Sequence, residues 1–220
     1  MQADIGAVIF DCDGTLVDSE EAGLDVLHHL LRAHGLDLSR EQLNHRFRGN
    51  PMAEGVAWIA EQLGGRSPDF EAEFTSQLRE ATAARFRLGL TTIPGAFELL
   101  DRLRIPFCVA TNGPREKVEL TLGLVGLRHL FGERIFSAYE VGCAKPDPGL
   151  FLHAAEVLGV APERCAVVED SLPGIQAGLA AGMKVFSLHP RDKTPAELCN
   201  QICFIENLFD LDKLLHGDSE

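Results

Sequence analysis

The sequence predicts an α/β fold, a doubly wound parallel sheet with an inserted helical subdomain, and three observations support this fold class. Five apolar runs rich in β-branched residues are short and continuous, as expected of strands that are covered on both faces. Helical patterns that mostly begin at proline and end at glycine separate the later runs. Residues 17 to 90 interrupt this alternation with successive helical patterns and no convincing strand.

Each predicted element follows from one of these patterns. The predicted strands are "AVIF" (7 to 10), "FCVAT" (107 to 111), "IFSAY" (135 to 139), "CAVVED" (165 to 170), "KVFSL" (184 to 188) and a shorter "CFIEN" (203 to 207). The helices between the later strands are "AFELLDRL", "PREKVELTLGLVG", "PGLFLHAAEVLG" and "PGIQAGLAAG". Because strands and helices alternate, we expect a parallel sheet. The predicted domains are a core of residues 1 to 16 and 91 to 220, and a helical subdomain of residues 17 to 90.

Composition excludes several classes of protein. The net charge of −13, with acids and bases interspersed, repels nucleic acid and anionic lipid. The amino-terminal residues resemble no signal peptide, and no apolar stretch approaches the length of a membrane span. The six cysteines are scattered without CxxC spacing, so we expect reduced thiols. These features predict a cytoplasmic protein with no nucleic-acid partner, no membrane and no evident obligate protein partner.

Polar residues stand at the carboxyl ends of the predicted strands. Asp11, Thr111 and the pair Glu169-Asp170 each lie at or directly after the end of a different strand. Open α/β sheets bind their ligands in the crevice outside those ends. Lys145, in the proline-punctuated "CAKPDP", follows the third strand and could supply the cation that clustered acids and an anionic substrate both require. The sequence therefore predicts one polar site at this edge of the sheet.

The acids at this edge are suited to a cation and to phosphoryl chemistry. Asp11, Asp13 and Asp170 offer the hard oxygen ligands that Mg²⁺ prefers, while Mg²⁺ keeps waters that a substrate phosphate can replace. With its charge screened, one carboxylate could attack phosphorus, and a second could protonate the leaving oxygen and then deprotonate water. The Thr111 hydroxyl and the Asn112 amide would hold the phosphoryl oxygens.

Four motifs together resemble one family. "FDCDGTLVDSE", "ATNG", "AKPDP" and "VVEDSLPGIQAG", in this order and spacing, are similar to the motifs of haloacid dehalogenase superfamily phosphatases. Within that family they resemble the β-phosphoglucomutase and 6-phosphogluconate phosphatase-like group, which carries a helical cap. The resemblance implies a Mg²⁺-dependent hydrolase of a small phosphorylated metabolite. It also implies these roles: Asp11 as nucleophile, Asp13 as general acid/base with its main-chain carbonyl on Mg²⁺, Thr111 and Lys145 as phosphate ligands, Asp170 as metal ligand and Glu169 acting through metal-bound water.

Two other functions stay open, a phosphosugar mutase and a non-catalytic regulator that binds a metal or metabolite. Mutase-like relatives carry a cap histidine and arginine where this sequence has Gly23 and Met52, which favours simple hydrolysis. The intact acids and lysine argue against the regulator. An EF-hand calcium loop that starts at Asp11 would need glycine and glutamate where Leu16 and Ala22 stand.

Substrate specificity is expected to come from the cap. In the segment "HRFRGNPMAE", Arg46, Arg48 and Asn50 could meet the carboxylate or hydroxyls of a sugar-acid phosphate. The alternative is that both arginines are solvated charges on a helix face. Among these residues, Arg48 and Asn50 are our candidate specificity residues. The hinges of the cap are expected near residues 15 to 18 and 90 to 94.

Overall fold

The computed structural model describes residues 5 to 47, 52 to 65 and 67 to 216. The chain divides into two compact units: the core unit, Met1–Asp18 with Thr91–Glu220, and the helical unit, Ser19–Leu90. The sequence placed the first boundary at residue 17. Val17 forms isolated β-bridges with Asp13 and Thr92, so it lies within the core unit. The function of the helical unit as a cap stays a prediction.

The core unit contains a parallel sheet whose order in space is β3-β2-β1-β4-β5-β6. Its strands are β1 (Ala7–Phe10), β2 (Phe107–Thr111), β3 (Ile135–Ser137), β4 (Cys165–Glu169), β5 (Lys184–Ser187) and β6 (Cys203–Phe204). The chain starts at the centre of the sheet and adds strands outward, first on one side and then on the other. The winding direction therefore reverses between β1 and β4, where such sheets bind ligands. The predicted doubly wound, Rossmann-like fold is confirmed.

The third strand is shorter than predicted, and so is the sixth, which ends at Phe204 and not at residue 207. The sequence indicated a strand over residues 135 to 139, but the strand ends at Ser137. The reason is local, because the Ser137 hydroxyl accepts a hydrogen bond from the Tyr139 N–H at 3.3 Å and caps a short helix. The polar end of this strand therefore leads into a turn at the carboxyl edge of the sheet.

The helices of the described residues lie between and beyond the strands. They are α1 (Glu20–Ala33), α2 (Arg40–Phe47), α3 (Met52–Gln62), α4 (Pro68–Arg87), α5 (Ala96–Arg102), α6 (Arg115–Leu124), α7 (Ala138–Val141), α8 (Gly149–Leu158), α9 (Leu172–Ala180), α10 (Ala196–Cys199) and α11 (Leu208–His216). Within the part of the chain that the structure describes, no helix combines the length and the apolar character that crossing a membrane requires.

The core lies on both faces of the sheet, which explains the continuous apolar runs. In β1, side chains alternate between the two faces, and all four residues are fully buried. Ala7 and Ile9 belong to a cluster that includes Phe151 of α8 and Ile175 of α9. Burial of these side chains fixes the register of the sheet and with it the positions of the residues that follow each strand.

The helical unit has an apolar core of its own. Leucine, isoleucine and phenylalanine side chains from its helices meet there, including Leu27, Leu31, Ile59 and Phe74. In α1, Leu24, Leu27 and Leu31 recur at helical spacing, as the sequence pattern indicates. Throughout the described residues of this unit the chain forms helices and loops, as predicted for this block.

Candidate active site

Residues from three neighbouring strands meet at the carboxyl edge of the sheet. Asp11 directly follows β1, Thr111 ends β2, and Glu169 ends β4, with Asp170 next in the chain. Because these strands are parallel and in register, their polar ends lie side by side. Lys145 comes from the loop between α7 and α8. These residues all belong to the core unit.

A buried ammonium joins two buried carboxylates at the centre of this site. The Lys145 Nζ lies 2.5 Å from Asp11 Oδ1 and 2.5 Å from Glu169 Oε1. The three residues are nearly inaccessible, with exposures of 3% for Lys145, 7% for Asp11 and 0% for Glu169. Two ionised carboxylates and one ammonium leave a net negative charge in a buried environment. A cation or a proton near Asp11 would offset that charge.

The pKa values of Asp11 and Lys145 reflect their burial and this excess of negative charge. Burial raises the pKa of Asp11 to about 7, although the charge of Lys145 acts in the opposite direction. Burial lowers the pKa of Lys145, but the two neighbouring carboxylates raise it by more, so its pKa lies above the ordinary value. The lysine therefore remains charged and holds Asp11 in place.

Glu169 is held by protein donors on both of its oxygens. Its Oε1 accepts from Lys145, while Oε2 accepts from the main-chain N–H of Asp170 and Ser171 at 3.1 Å each and from the Ser171 hydroxyl at 2.9 Å. Gly174, at the start of α9, leaves room for this carboxylate, because a Cβ there would lie 1.9 Å from Glu169 Cδ. The structure thus shows Glu169 as the partner of Lys145, and its predicted contact through metal-bound water stays a prediction.

Asp13 pairs with a lysine that was not among the site residues predicted from the sequence. The Lys117 Nζ donates to Asp13 Oδ2 at 2.8 Å, and both side chains are partly exposed. Burial lowers the pKa of Lys117, but Asp13 raises it by more. Lys117 lies in the first turn of α6, the helix that follows Thr111. This position could have pointed to Lys117 from the sequence, because the first turn of α6 begins at the same edge of the sheet as Asp13.

The turn after β1 leaves space for the carboxylate of Asp170. Gly14 has a positive φ of +79°, and a Cβ there would lie 2.3 Å from Asp170 Oδ2. The Thr15 hydroxyl donates to Asp170 Oδ1 at 3.2 Å. On the other side, Nδ1 of His189 lies 2.8 Å from the Asp170 main-chain oxygen. His189 was also not among the site residues predicted from the sequence. These contacts fix Asp170 against the backbone that follows Asp13.

The donor set fits Mg²⁺. Within the described ranges, no group of three or more histidine, cysteine, aspartate or glutamate side chains is arranged to hold a metal ion. Mg²⁺ is usually bound through one or two carboxylates, with waters and substrate phosphate completing its shell. Asp11 and Asp170, which follow the neighbouring strands β1 and β4, provide such a pair, and the glycine turn brings main-chain atoms close to one of them. The residues present thus offer the type of ligand that Mg²⁺ binds.

Thr111 and Asn112 lie at the predicted edge, but their side chains have protein partners. The Thr111 hydroxyl accepts a hydrogen bond from the Gly113 N–H at 3.0 Å and is almost fully buried. The Asn112 amide pairs with the main chain of Lys145. Their predicted contacts with phosphate stay predictions.

The two candidate specificity residues, Arg48 and Asn50, lie outside the described residues. Their neighbour Arg46, in α2, stacks its guanidinium over the ring of Trp58 at 4.8 Å from the centroid. Predicted contacts of this segment with a substrate therefore stay predictions.

Comparisons with known proteins agree with the motifs. The model of the haloacid dehalogenase-like hydrolase family matches residues 5 to 182. The 6-phosphogluconate phosphatase of Escherichia coli (strain K12) is 38% identical over 182 residues, which are 83% of this chain and 81% of that protein. Hexitol phosphatase A of the same strain is 34% identical over 192 residues, 85% of this chain and 84% of that protein. A crystal structure of a haloacid dehalogenase family hydrolase from Deinococcus radiodurans R1, with bound phosphate and sodium, is 35% identical with a TM-score of 0.75 and covers 97% of this chain and 96% of that one.

The fold, the edge site and these matches define a phosphatase-type hydrolase built on a doubly wound sheet. The chain belongs to the haloacid dehalogenase-like hydrolase family. The resemblance inferred from the four motifs and the predicted enzyme class are both confirmed.

Proposed function

We propose that this protein is a Mg²⁺-dependent phosphomonoester hydrolase that acts on a small sugar phosphate or sugar-acid phosphate through an aspartyl-phosphate at Asp11. One observation carries the proposal. The carboxylate of Asp11 is buried at the carboxyl edge of the sheet with Lys145 on one of its oxygens, and Asp13 follows two residues later. Such a carboxylate is fixed in position and poorly solvated, which suits a nucleophile.

The proposed first half-reaction transfers the phosphoryl group to the protein. Because Lys145 holds Oδ1 of Asp11, we assign the attack to Oδ2. The bond between Oδ2 and phosphorus forms while the bond between phosphorus and the sugar oxygen breaks. Asp13 in its protonated form gives its proton to the leaving oxygen, and the sugar alcohol departs. General acid catalysis of this kind contributes roughly 10² to 10⁴ in rate.

The proposed second half-reaction restores the protein. Asp13, now a carboxylate, takes a proton from a water molecule that attacks the phosphorus of the aspartyl-phosphate. The bond between Asp11 and phosphorus breaks, and inorganic phosphate leaves. Throughout, Lys145 and the predicted contact of Thr111 would balance the charge on the phosphoryl oxygens. The amide of Asn112, also predicted as a phosphate ligand, is bound to the main chain of Lys145.

The proposal assigns Mg²⁺ to the acids at the same edge. Asp11, the main-chain carbonyl of Asp13, and Asp170 would hold the ion, with Glu169 acting through a water molecule. When bound, Mg²⁺ neutralises charge on the carboxylates and on the phosphoryl oxygens. Without that charge, two anionic carboxylates would repel an anionic substrate.

The substrate class rests on chemistry and on the relatives. The protein as a whole is acidic, with a net charge of −13, so a phosphorylated metabolite needs a local cationic site such as that at Lys145. Two curated relatives bear the names 6-phosphogluconate phosphatase and hexitol phosphatase A. We propose a substrate of this chemical class, contacted by Arg48 and Asn50, in a cytoplasmic setting.

The proposal is tested by phosphate release from a panel of sugar phosphates, sugar-acid phosphates, phosphoglycolate and nucleotides, with Mg²⁺ and with chelator. We expect strong Mg²⁺-dependent release from the sugar-phosphate group and none from Asp11→Asn. Isomerised sugar phosphate that needs a bisphosphate activator, without phosphate release, would instead identify a mutase. Stoichiometric ligand binding without turnover would identify a non-catalytic binder.

In the same panel, Arg48→Ala should lower kcat/KM for some sugar phosphates, and an unchanged kcat/KM for all of them would exclude a role of Arg48 in substrate binding.

A further inference from the structure

Asn112 joins the end of β2 to the backbone of the loop that carries Lys145. The Lys145 N–H donates to Asn112 Oδ1 at 2.9 Å, and the Asn112 Nδ2 donates to the Lys145 main-chain oxygen at 3.1 Å. Both main-chain polar groups of Lys145 are therefore bound by a single side chain 33 residues earlier in the chain.

The position of Lys145 depends on this pair, because no helix or strand contains the residue. It lies between α7 and α8, in a loop where Asp147 N–H donates to Ala144 at 2.9 Å. Its Nζ must nevertheless lie 2.5 Å from two separate buried carboxylates, on Asp11 and Glu169. Each of these charge-assisted bonds weakens steeply with distance and angle. A displacement of the Lys145 backbone would consequently misplace the ammonium.

The asparagine side chain supplies both the donor and the acceptor that the main chain of Lys145 binds. Its amide presents an acceptor to the Lys145 N–H and a donor to the Lys145 oxygen at the same time. Aspartate of the same shape would keep the acceptor but would place a second oxygen against the Lys145 carbonyl. Alanine would remove both partners. The use of the amide by Lys145 also competes with its predicted role as a phosphate ligand.

We propose that Asn112 is a positioning residue that holds the backbone of Lys145 and so places its ammonium between Asp11 and Glu169. Its catalytic consequence rests on the function proposed above. The structural part of the proposal, the hold on the Lys145 backbone, can be tested without any turnover.

The first experiment measures hydrogen exchange of the Lys145 amide in the whole protein by NMR. Asn112→Ala removes the acceptor, so this amide should exchange about 5- to 10-fold faster, the factor that corresponds to one ordinary hydrogen bond. Lys145→Gln changes the side chain only and should keep the protection. The exposed Asn200→Ala is the matched control and should change nothing at residue 145. Unchanged exchange in Asn112→Ala would overturn the proposal.

The second experiment is a double-mutant cycle on kcat/KM for the best substrate of the panel. If Asn112 acts through Lys145, Asn112→Ala lowers kcat/KM at least about tenfold in the wild-type background but has little further effect in Lys145→Gln. If Asn112 instead binds phosphate directly, the two losses multiply, and inhibition by inorganic phosphate weakens equally in both backgrounds. That result would also overturn the proposal.

The two experiments separate failure of this inference from failure of the proposed function. If the wild-type protein releases no phosphate from any substrate, the function fails while the exchange measurement still decides the hold on Lys145. Asn112→Asp serves as a second variant if Asn112→Ala does not fold by circular dichroism. It should lower kcat/KM because its second oxygen faces the Lys145 carbonyl, and full activity in a folded Asn112→Asp would contradict the need for an amide donor.

Discussion

Replacing Asp11 by asparagine should abolish turnover and yet stabilise the protein when no divalent cation is present. Burial raises the pKa of Asp11 from 3.8 to about 7, an increase of about 3 units net of the attraction of Lys145. At about 1.4 kcal/mol for each unit, the ionised carboxylate destabilises the folded state by about 4 kcal/mol at pH 8. Asparagine carries no charge, and its amide oxygen can still accept from Lys145. Because the amide also loses hydration on burial, we expect a gain of about 2 to 4 kcal/mol in the free energy of unfolding.

The stability gained by Asp11→Asn increases as the pH rises. Well below pH 4 the carboxyl group is protonated in both states, so the charge contributes no difference between the wild type and Asp11→Asn. As the pH rises through about 4 toward 7, the unfolded chain ionises first, and the wild type loses stability relative to the variant. Well above about pH 7 the carboxyl group is ionised in both states, and the difference levels off.

The assay is urea unfolding in chelator at several pH values between 4.5 and 8. Exposed Asp192→Asn is the matched control, since it removes the same charge from the surface and should change stability by less than about 0.5 kcal/mol. A wild type as stable as Asp11→Asn at pH 8, or a difference that does not change with pH, would refute the reasoning from burial.

Two further predictions concern the residues that lie against Asp13 and Glu169. Lys117→Met removes the hydrogen bond that orients Asp13 and should lower kcat/KM for sugar phosphates about tenfold or more, but kcat/KM for p-nitrophenyl phosphate far less, because its leaving group needs no proton. Equal losses in kcat/KM for both substrates would contradict a role at the leaving oxygen. Gly174→Ala places a Cβ 1.9 Å from Glu169 Cδ and should cost about 2 kcal/mol or more in urea unfolding. Gly123 lies in α6, and a Cβ there meets nothing within 4 Å. Gly123→Ala should therefore stabilise the protein by about 0.5 to 1 kcal/mol. A similar change in the stability of both glycine variants would count against the close contact at Glu169.

The sequence predicted the sheet well because each strand is buried on both faces. A continuous apolar run as short as residues 7 to 10 is typical of a strand that is covered on both faces. Because the strands are parallel, the polar residues that end them lie at the same edge of the sheet. The predicted third strand was too long, since the capping hydrogen bond of Ser137 depends on a side-chain conformation that an apolar pattern does not reveal.

The partners within the site could not be predicted in the same way. Lys117 is 104 residues from Asp13 in the chain, and a lysine in the first turn of a helix resembles any surface lysine in sequence. The contact of Asn112 with phosphate stays a prediction, whereas the binding of its amide to the Lys145 backbone was not predicted from the sequence. Such pairings depend on rotamers and loop paths, which short-range patterns do not determine.

The measurement that tests the central claim most directly is detection of a phosphoryl group on Asp11 during turnover. The protein with Mg²⁺ and its best substrate would be quenched in acid within the steady state, and its peptides analysed by mass spectrometry. The account predicts a labile phosphoryl group on the peptide that contains Asp11, absent from Asp11→Asn and from a sample without substrate. Continued phosphate release in Asp11→Asn, or a phosphoryl group on another residue of the wild type, would contradict it.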